Sequence, residues 1–149
     1  MSESSSKKLK QSPSLKARAL RLLSLREYSR KTLAAKLLES EARWAKLNPE
    51  DSTQDPQATA LNIQIVLDDF ESRGWLSDER FAEALARRRS ERYGIRKIAD
   101  ELDRAGVDSK QSAGILSALK ETEFQRAHDL WVRKYGQKAQ DQKERARHY

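Results

Sequence analysis

One helix must end and another must begin within nine residues of this sequence, Gly74-Trp75-Leu76-Ser77-Asp78-Glu79-Arg80-Phe81-Ala82. Upstream, apolar side chains from Ile63 to Phe70 recur at the i, i+3, i+4, i+7 spacing of one helix face. The glycine that follows can adopt the left-handed backbone conformation that commonly ends a helix. Downstream, the serine can cap the next helix, and the acidic pair after it suits the positive end of the helix dipole. The two side chains between the helices, Trp75 and Leu76, are therefore predicted to enter the core.

A first three-helix unit is predicted before this joint, over residues 14–76. Ser14 and Ser29 are placed to cap its first two helices, since each precedes a run of apolar residues at helical spacing. Small polar residues and two prolines predict a loop at about residues 40–60, and the third helix then leads to the joint. The preceding residues 1–13 are basic and nearly devoid of apolar side chains, which predicts a disordered segment.

A second three-helix unit is predicted over residues 77–120. Its first helix runs from Asp78 to about Arg92 and ends at Tyr93-Gly94. A second helix follows and ends at Gly106, and Asp108 then caps the third helix. Residues 121–149 then begin a further copy without completing it. Because Tyr28, Tyr93 and Tyr135 recur at the same step of the pattern, the sequence predicts an all-α fold of tandem three-helix repeats with an incomplete third repeat.

Charge is unevenly distributed along the chain, which has a formal net charge of +7 and a pI near 9.7. Lysines and arginines outnumber acids by ten to three in residues 1–40 and by sixteen to ten in residues 84–149, whereas acids lead by ten to four in residues 41–83. This succession favours a partner that is itself patterned in charge, such as a protein bound to nucleic acid. The alternative is an ordinary solvated helix surface.

Several classes of protein are disfavoured by what the sequence lacks. It has no cysteine, so a disulfide framework and a thiolate zinc site are excluded, and no apolar run approaches the roughly 20 residues of a membrane-spanning helix. No signal-peptide pattern occurs at the start, so a cytoplasmic location is expected. His128 and His148 lack metal-site spacing, and no phosphate loop or nucleophile elbow is present. Neither a cofactor nor an enzymatic activity is predicted.

The densest basic cluster is Arg87-Arg88-Arg89, followed closely by Arg92, Arg96 and Lys97. Guanidinium groups can hold phosphates or carboxylates with two hydrogen bonds, so this cluster suits a polyanion or an acidic protein; alternatively, some of these stems lie along the apolar surface. The repeated tyrosines could stack on bases, but their position immediately after a helix favours a structural role at the corner between two helices.

Three segments together resemble the RecX family of regulatory proteins: Leu25–Ser29, the joint Gly74–Ala82, and Tyr93-Gly94 with the apolar positions up to Gly106-Val107. The match extends from about Ser14 to Tyr135. The resemblance implies an elongated, curved array of helical repeats that binds RecA and lodges in its filament on single-stranded DNA. It also implies inhibition of strand exchange, ATP hydrolysis and co-protease activity, hence a role in DNA repair, recombination and the SOS response. Chains of this kind complete the third repeat with further helices, whereas this sequence ends at Tyr149.

The resemblance carries over no catalytic residue, so the candidate sites rest on charge density and repeat equivalence. The residues predicted to contact RecA or DNA are Arg26, Arg30, Lys31, Arg88, Arg89, Arg92, Arg96 and Lys97. Those predicted to have a structural role between repeats are Trp75, Leu76, Phe81, Tyr28, Tyr93 and Tyr135. The rival hypothesis is a helical nucleic-acid-binding module that acts alone, with a helix of the second unit laid against phosphates.

Overall fold

The computed structural model describes residues 12–49 and 55–147, with side chains described as far as Gly136. Within these ranges every regular element is an α-helix, which confirms the predicted all-α class. The helices are α1 (Leu15–Leu25), α2 (Arg30–Leu47), α3 (Pro56–Ser72), α4 (Asp78–Arg89), α5 (Ile95–Arg104) and α6 (Ser109–Arg147). The chain divides into two units, Met1–Asp78 and Glu79–Tyr149.

Helix starts follow the capping residues that the sequence indicates. Ser14 Oγ accepts a hydrogen bond from the Ala17 N–H at 3.1 Å, and Ser29 Oγ accepts one from the Thr32 N–H at 3.2 Å. Asp108 Oδ1 accepts one from the Lys110 N–H at 3.3 Å. Each bond satisfies a backbone donor that has no partner inside its own helix, so the caps predicted at Ser14, Ser29 and Asp108 are confirmed, and the cap at Ser77 stays a prediction.

The ends of α3 and α5 share one hydrogen-bonded motif. Gly74 has φ of 76°, and the N–H of Trp75 reaches back to the carbonyl oxygen of Phe70 at 2.9 Å. Gly106 has φ of 77°, and the N–H of the next residue reaches the Leu102 carbonyl oxygen at 3.0 Å. A positive φ is accessible to glycine without steric cost, so each glycine closes its helix and turns the chain back along the core.

The first unit has a core drawn from all three of its helices and from the joint. Its members lie between 0 and 6% exposed, so they are removed from water almost completely. They are Ala19, Tyr28, Leu33, Leu37, Ile63, Leu67, Phe70 and Leu76. Leu76 thus fulfils the prediction that the joint contributes to the core.

Trp75 does not enter that core, which corrects the prediction made for it. The indole is 41% exposed and meets Phe70 edge-on, with ring centroids 5.4 Å apart, while the Arg73 guanidinium lies 5.0 Å from its centre. The cause is the turn at Gly74, which directs Leu76 inwards. The N–H of Leu76 also donates to the Phe70 carbonyl oxygen, at 3.2 Å. Trp75 covers the edge of the core from outside.

The second unit is built around a smaller core formed by Ala82, Leu85, Ile98, Leu102 and Val107. Phe81 and three apolar residues of α6 are partly buried against it. This core holds α4, α5 and the first part of α6 together, so the predicted apolar faces of all three helices are used.

Two predicted boundaries differ from the structure. The loop expected at about residues 40–60 is shorter, because α2 continues to Leu47 through good helix formers and α3 begins at Pro56. The helix end expected near Tyr135 is absent, since α6 runs unbroken from Ser109 to Arg147, and the repeat boundary after residue 120 stays a prediction. Gly136 lies inside this helix: an isolated glycine costs only about 1 kcal/mol there, and the surrounding helix formers outweigh it. The disorder predicted for residues 1–13 falls mostly outside the described residues.

Candidate partner-binding surface

The basic corner of the second unit is the turn from α4 to α5 together with the helix ends beside it. Arg87, Arg88 and Arg89 form the last turn of α4, where positive charge is favourable because the helix dipole is negative at that end. Gly94 then precedes α5 as its N-cap residue, and Arg96 and Lys97 lie in the first turn of that helix. The corner therefore concentrates positive charge on both sides of a five-residue turn, Ser90–Gly94.

Three of the arginines predicted to contact a partner have no counter-charge within the described part of the chain. Arg88, Arg92 and Arg96 are exposed, and none of them forms an ion pair with a described side chain. A guanidinium group is permanently charged and offers five donors in a planar fork, which suits the phosphates of nucleic acid or the carboxylates of a protein. These side chains are available to an external anion.

The other two candidates at the corner interact with the rest of the unit. Arg89 Nε donates to Glu101 Oε2 at 3.2 Å, and its guanidinium carbon lies 5.6 Å from the centre of the Tyr93 ring. Lys97 is exposed, but its ammonium nitrogen lies 3.7 Å from that same centre. Two cations thus attend the Tyr93 ring, which favours the structural interpretation of this tyrosine over base stacking.

The candidates of the first unit differ in the same way. Lys31 and Arg26 are exposed, and Arg26 lies over the ring of the buried Tyr28 at 4.5 Å. Arg30 instead turns towards α3. It donates to Gln64 Oε1 at 2.7 Å, and its guanidinium nitrogens lie 2.7 Å from Asp68 Oδ1 and 3.0 Å from Glu71 Oε2.

Burial by itself would lower the pKa of Arg30, but hydrogen bonds to the carboxylates of Asp68 and Glu71 outweigh that effect and raise the pKa above its usual value. The guanidinium is therefore engaged in an internal network that joins α2 to α3. An external partner would have to compete with this network, so Arg30 is a poorer candidate for contact than its neighbour Lys31.

Sequence reasoning missed two carboxylates that reach across each unit to the start of its second helix. Asp78 Oδ1 accepts a hydrogen bond from the N–H of Arg30, the first residue of α2, at 2.7 Å. Glu123 Oε1 accepts one from the N–H of Ile95, the first residue of α5, at 3.1 Å. Equivalence of Arg30 and Ile95 in the repeat was the available signal, but it identifies the donors and says nothing about the acceptors.

Arg126 is a further residue that the sequence did not single out. Its Nη1 donates to the carbonyl oxygens of Ser90 at 2.9 Å and Tyr93 at 3.3 Å, inside the turn of the basic corner. Its Nη2 donates to the Leu119 carbonyl oxygen at 2.9 Å and its Nε to Thr122 Oγ1 at 3.1 Å. This arginine ties α6 to the corner through its hydrogen bonds.

Comparison with known proteins relates the sequence to one family. Residues 77–112 match the family model described as RecX, second three-helix domain. The regulatory protein RecX of Leptothrix cholodnii is 40% identical over 134 residues, which is 90% of this chain and 75% of that protein. The protein of the same name from Herminiimonas arsenicoxydans is 39% identical over 134 residues, or 90% of this chain and 78% of that protein.

The chain belongs to the RecX family. No solved structure matches it. The matched residues 77–112 include the whole basic corner, from α4 through Ser90–Gly94 to α5. The relatives are named as regulatory proteins, so a regulatory role is the functional statement that the family supports.

Burial differs among the six residues predicted to lie structurally between repeats. In this RecX-family chain, Tyr28 and Leu76 belong to the core of the first unit, and Phe81 is partly buried in the second. Trp75 and Tyr135 are exposed by 41% and 47%, and Tyr135 lies within α6 rather than after a helix, which corrects its assignment to a corner. A role for any of them between repeats stays a prediction.

Other kinds of site find little support in the described part of this RecX-family chain. No group of three or more histidine and carboxylate side chains there could hold a metal ion. His128 stacks on Trp131, with ring centroids 6.5 Å apart, and His148 lies outside the described residues. A search of the same residues finds no helix with the length and apolarity of a membrane span.

Proposed function

We propose that this chain is a non-enzymatic regulator that binds RecA and the RecA filament on single-stranded DNA. In this role it inhibits or modulates strand exchange, ATP hydrolysis and co-protease activity, and so acts in DNA repair, recombination and the SOS response in the cytoplasm. Membership of the RecX family supports the regulatory role. The observation that carries the contact surface is the basic corner, where the exposed Arg88, Arg92 and Arg96 have no ion-pair partner among the described residues.

Within this proposal a basic residue is assigned to partner contact when its charged group is exposed and not engaged by a carboxylate of its own unit. In the second unit the contacts are Arg88, Arg92, Arg96 and Lys97, and in the first unit they are Arg26 and Lys31. Arg30 and Arg89 do not contact the partner and instead stabilise the fold, because their guanidinium groups bind carboxylates of their own unit. A filament of RecA on DNA presents both phosphates and protein carboxylates, and guanidinium groups bind both.

The experiment is co-sedimentation with RecA filaments, using wild type and a triple variant Arg88→Glu, Arg92→Glu, Arg96→Glu. A second triple variant, Lys36→Glu, Arg43→Glu, Lys46→Glu, changes the net charge equally on exposed positions of α2 and serves as the matched control. We expect the first variant to weaken filament binding by about tenfold or more and the control to change it far less, since charge reversal at a contact adds repulsion. Equal binding by all three proteins, each shown to be folded by circular dichroism, would exclude the corner as the contact surface.

A salt series on the same proteins separates this function from the rival one, a module that binds nucleic acid alone. Binding to bare single-stranded DNA releases counterions and weakens steeply as the salt concentration rises. A regulator of RecA should instead bind the filament more tightly than bare DNA at every salt concentration tested. Equal affinity for DNA with and without RecA would favour the stand-alone module.

A further inference from the structure

Two side chains of α6 form hydrogen bonds with the backbone at the turn of the basic corner, one as an acceptor and the other as a donor. Glu123 supplies an acceptor to the Ile95 N–H at 3.1 Å, and Arg126, one helical turn later, supplies donors to the carbonyl oxygens of Ser90 and Tyr93. The start of α5 thus receives a carboxylate, and the turn that follows α4 receives a guanidinium. We name this pair the α6 clamp.

We propose that Glu123 and Arg126 are positioning residues for partner binding, an inference that rests on the proposed function. They hold the turn Ser90–Gly94 in one conformation, and this turn carries Arg92 and separates Arg88 from Arg96. Neither clamp residue needs to contact the partner. Their effect is to present the exposed arginines in a fixed arrangement, which reduces the conformational entropy that binding would otherwise remove.

The backbone groups held by the clamp have no partner within a helix. The Ile95 N–H, at the start of α5, has no acceptor in its own helix, and the carbonyl groups of Ser90 and Tyr93 lie in the turn between the two helices. If the clamp were absent, water would have to satisfy them and the turn would gain freedom. Arg126 is only partly exposed and its four hydrogen bonds fix its own position, so it acts as a rigid support.

Gly94 lies close to the same carboxylate oxygen of Glu123. A Cβ atom added there would lie 2.9 Å from Glu123 Oε1, inside the normal contact distance. The backbone conformation of Gly94, with φ of −80° and ψ of 175°, is open to any residue. A larger residue at position 94 would therefore be compatible with the backbone but would displace the end of the Glu123 side chain.

The test combines amide hydrogen exchange with filament co-sedimentation on the full chain. Arg126→Lys keeps the charge but loses the planar fork, and Glu123→Ala removes the carboxylate, whereas Glu123→Gln retains an acceptor oxygen. The matched controls on the same helix are Arg133→Lys and Glu121→Ala, which alter exposed side chains. Exchange at Ile98 and Leu102, in the core, reports whether each variant remains folded.

We expect exchange at Tyr93 and Ile95 to become roughly tenfold faster in Arg126→Lys and Glu123→Ala, with core exchange unchanged, because each variant loses hydrogen bonds to the turn. Filament affinity should fall about tenfold in the same two variants, in parallel with the exchange rates, and Glu123→Gln should recover most of both. The controls should resemble wild type.

Faster exchange in the turn with unchanged filament affinity would overturn the inference, because the clamp would then serve the fold alone. Unchanged exchange in the turn would overturn it at the first step. If Arg126→Lys loses core protection, the two Glu123 variants decide the result. Failure of the wild-type chain to bind the filament would overturn the proposed function itself, and the exchange data would still show separately whether the clamp holds the turn.

Discussion

The carboxylate of Asp78 lies 2.7 Å from the backbone nitrogen of Arg30, so the first residue of α4 provides the N-terminal hydrogen bond of α2, 48 residues earlier. The sequence suggested a different role for Asp78, that of stabilising the positive end of its own helix. The observed bond instead fixes the joint against the second helix of the first unit. Asp78 is accordingly grouped with that unit.

Replacement of Asp78 by alanine should destabilise the chain by about 1–2 kcal/mol, because the α2 N–H loses its acceptor. Asp78→Asn retains an oxygen acceptor and should lose less. The measurement is the free energy of unfolding from urea denaturation. Glu79→Ala, at the next and exposed position of α4, is the control. The same loss in Glu79→Ala would show that the helix dipole of α4, and not the bond to Arg30, accounts for the effect.

Local features of the fold were predictable because their causes are local. Ser14, Ser29 and Asp108 cap helices through residues two or three positions away, and Gly74 ends its helix through its own backbone freedom. The length of α6 was not predictable in this way. The match of Tyr135-Gly136 to Tyr93-Gly94 indicated a break, but the turn at Gly94 also depends on Glu123 and Arg126, which approach it through the tertiary fold.

The candidate surface shows the same division between local and distant causes. Charge density along the sequence identified Arg88, Arg92 and Arg96, and the structure leaves these side chains exposed. Charge density could not distinguish these three arginines from Arg30, whose partners lie on α3, more than 30 residues away. Periodicity also favoured burial of Trp75, because a pattern of apolar residues does not record which of two neighbours the turn directs inwards.

Trp75→Ala should cost about 1–2 kcal/mol, less than a fully buried tryptophan would, because the indole is 41% exposed. Phe70→Ala is the comparison: this ring is completely buried and meets Trp75 edge-on, so its loss should cost about 3–5 kcal/mol. Urea denaturation of both variants measures the difference. If Trp75→Ala were as damaging as Phe70→Ala, the indole would have to be buried in solution.

Arg30→Gln should lower the free energy of unfolding by about 1 kcal/mol, a modest value because its ion pairs are partly screened by solvent. Lys31→Gln, at the neighbouring exposed position, should change stability by less than about 0.5 kcal/mol. In filament co-sedimentation the order should reverse, with Lys31→Gln weakening binding more than Arg30→Gln under conditions where both are folded. Equal stability of the two variants would contradict the importance of the network with Asp68 and Glu71.

Asp69 should give the first unit a stabilising contribution that disappears in acid. The hydrogen bond from Arg73 is the main cause that lowers the pKa of Asp69 below its ordinary value of 3.8, and Lys16 acts in the same direction while partial burial opposes both. A carboxylate whose pKa is lower in the folded state stabilises the fold above the unfolded-state pKa, and this stability is lost as the pH falls through the folded-state pKa. Asp69→Asn should therefore have a lower Tm than wild type near neutral pH, and the difference should close below about pH 4.

In an Arg73→Gln background the Asp69→Asn effect should shrink at neutral pH, since the hydrogen bond that contributes most to the lowered pKa of Asp69 is gone. A Tm difference that stayed constant from pH 7 to pH 2 would show that the charge of Asp69 is not what stabilises the fold.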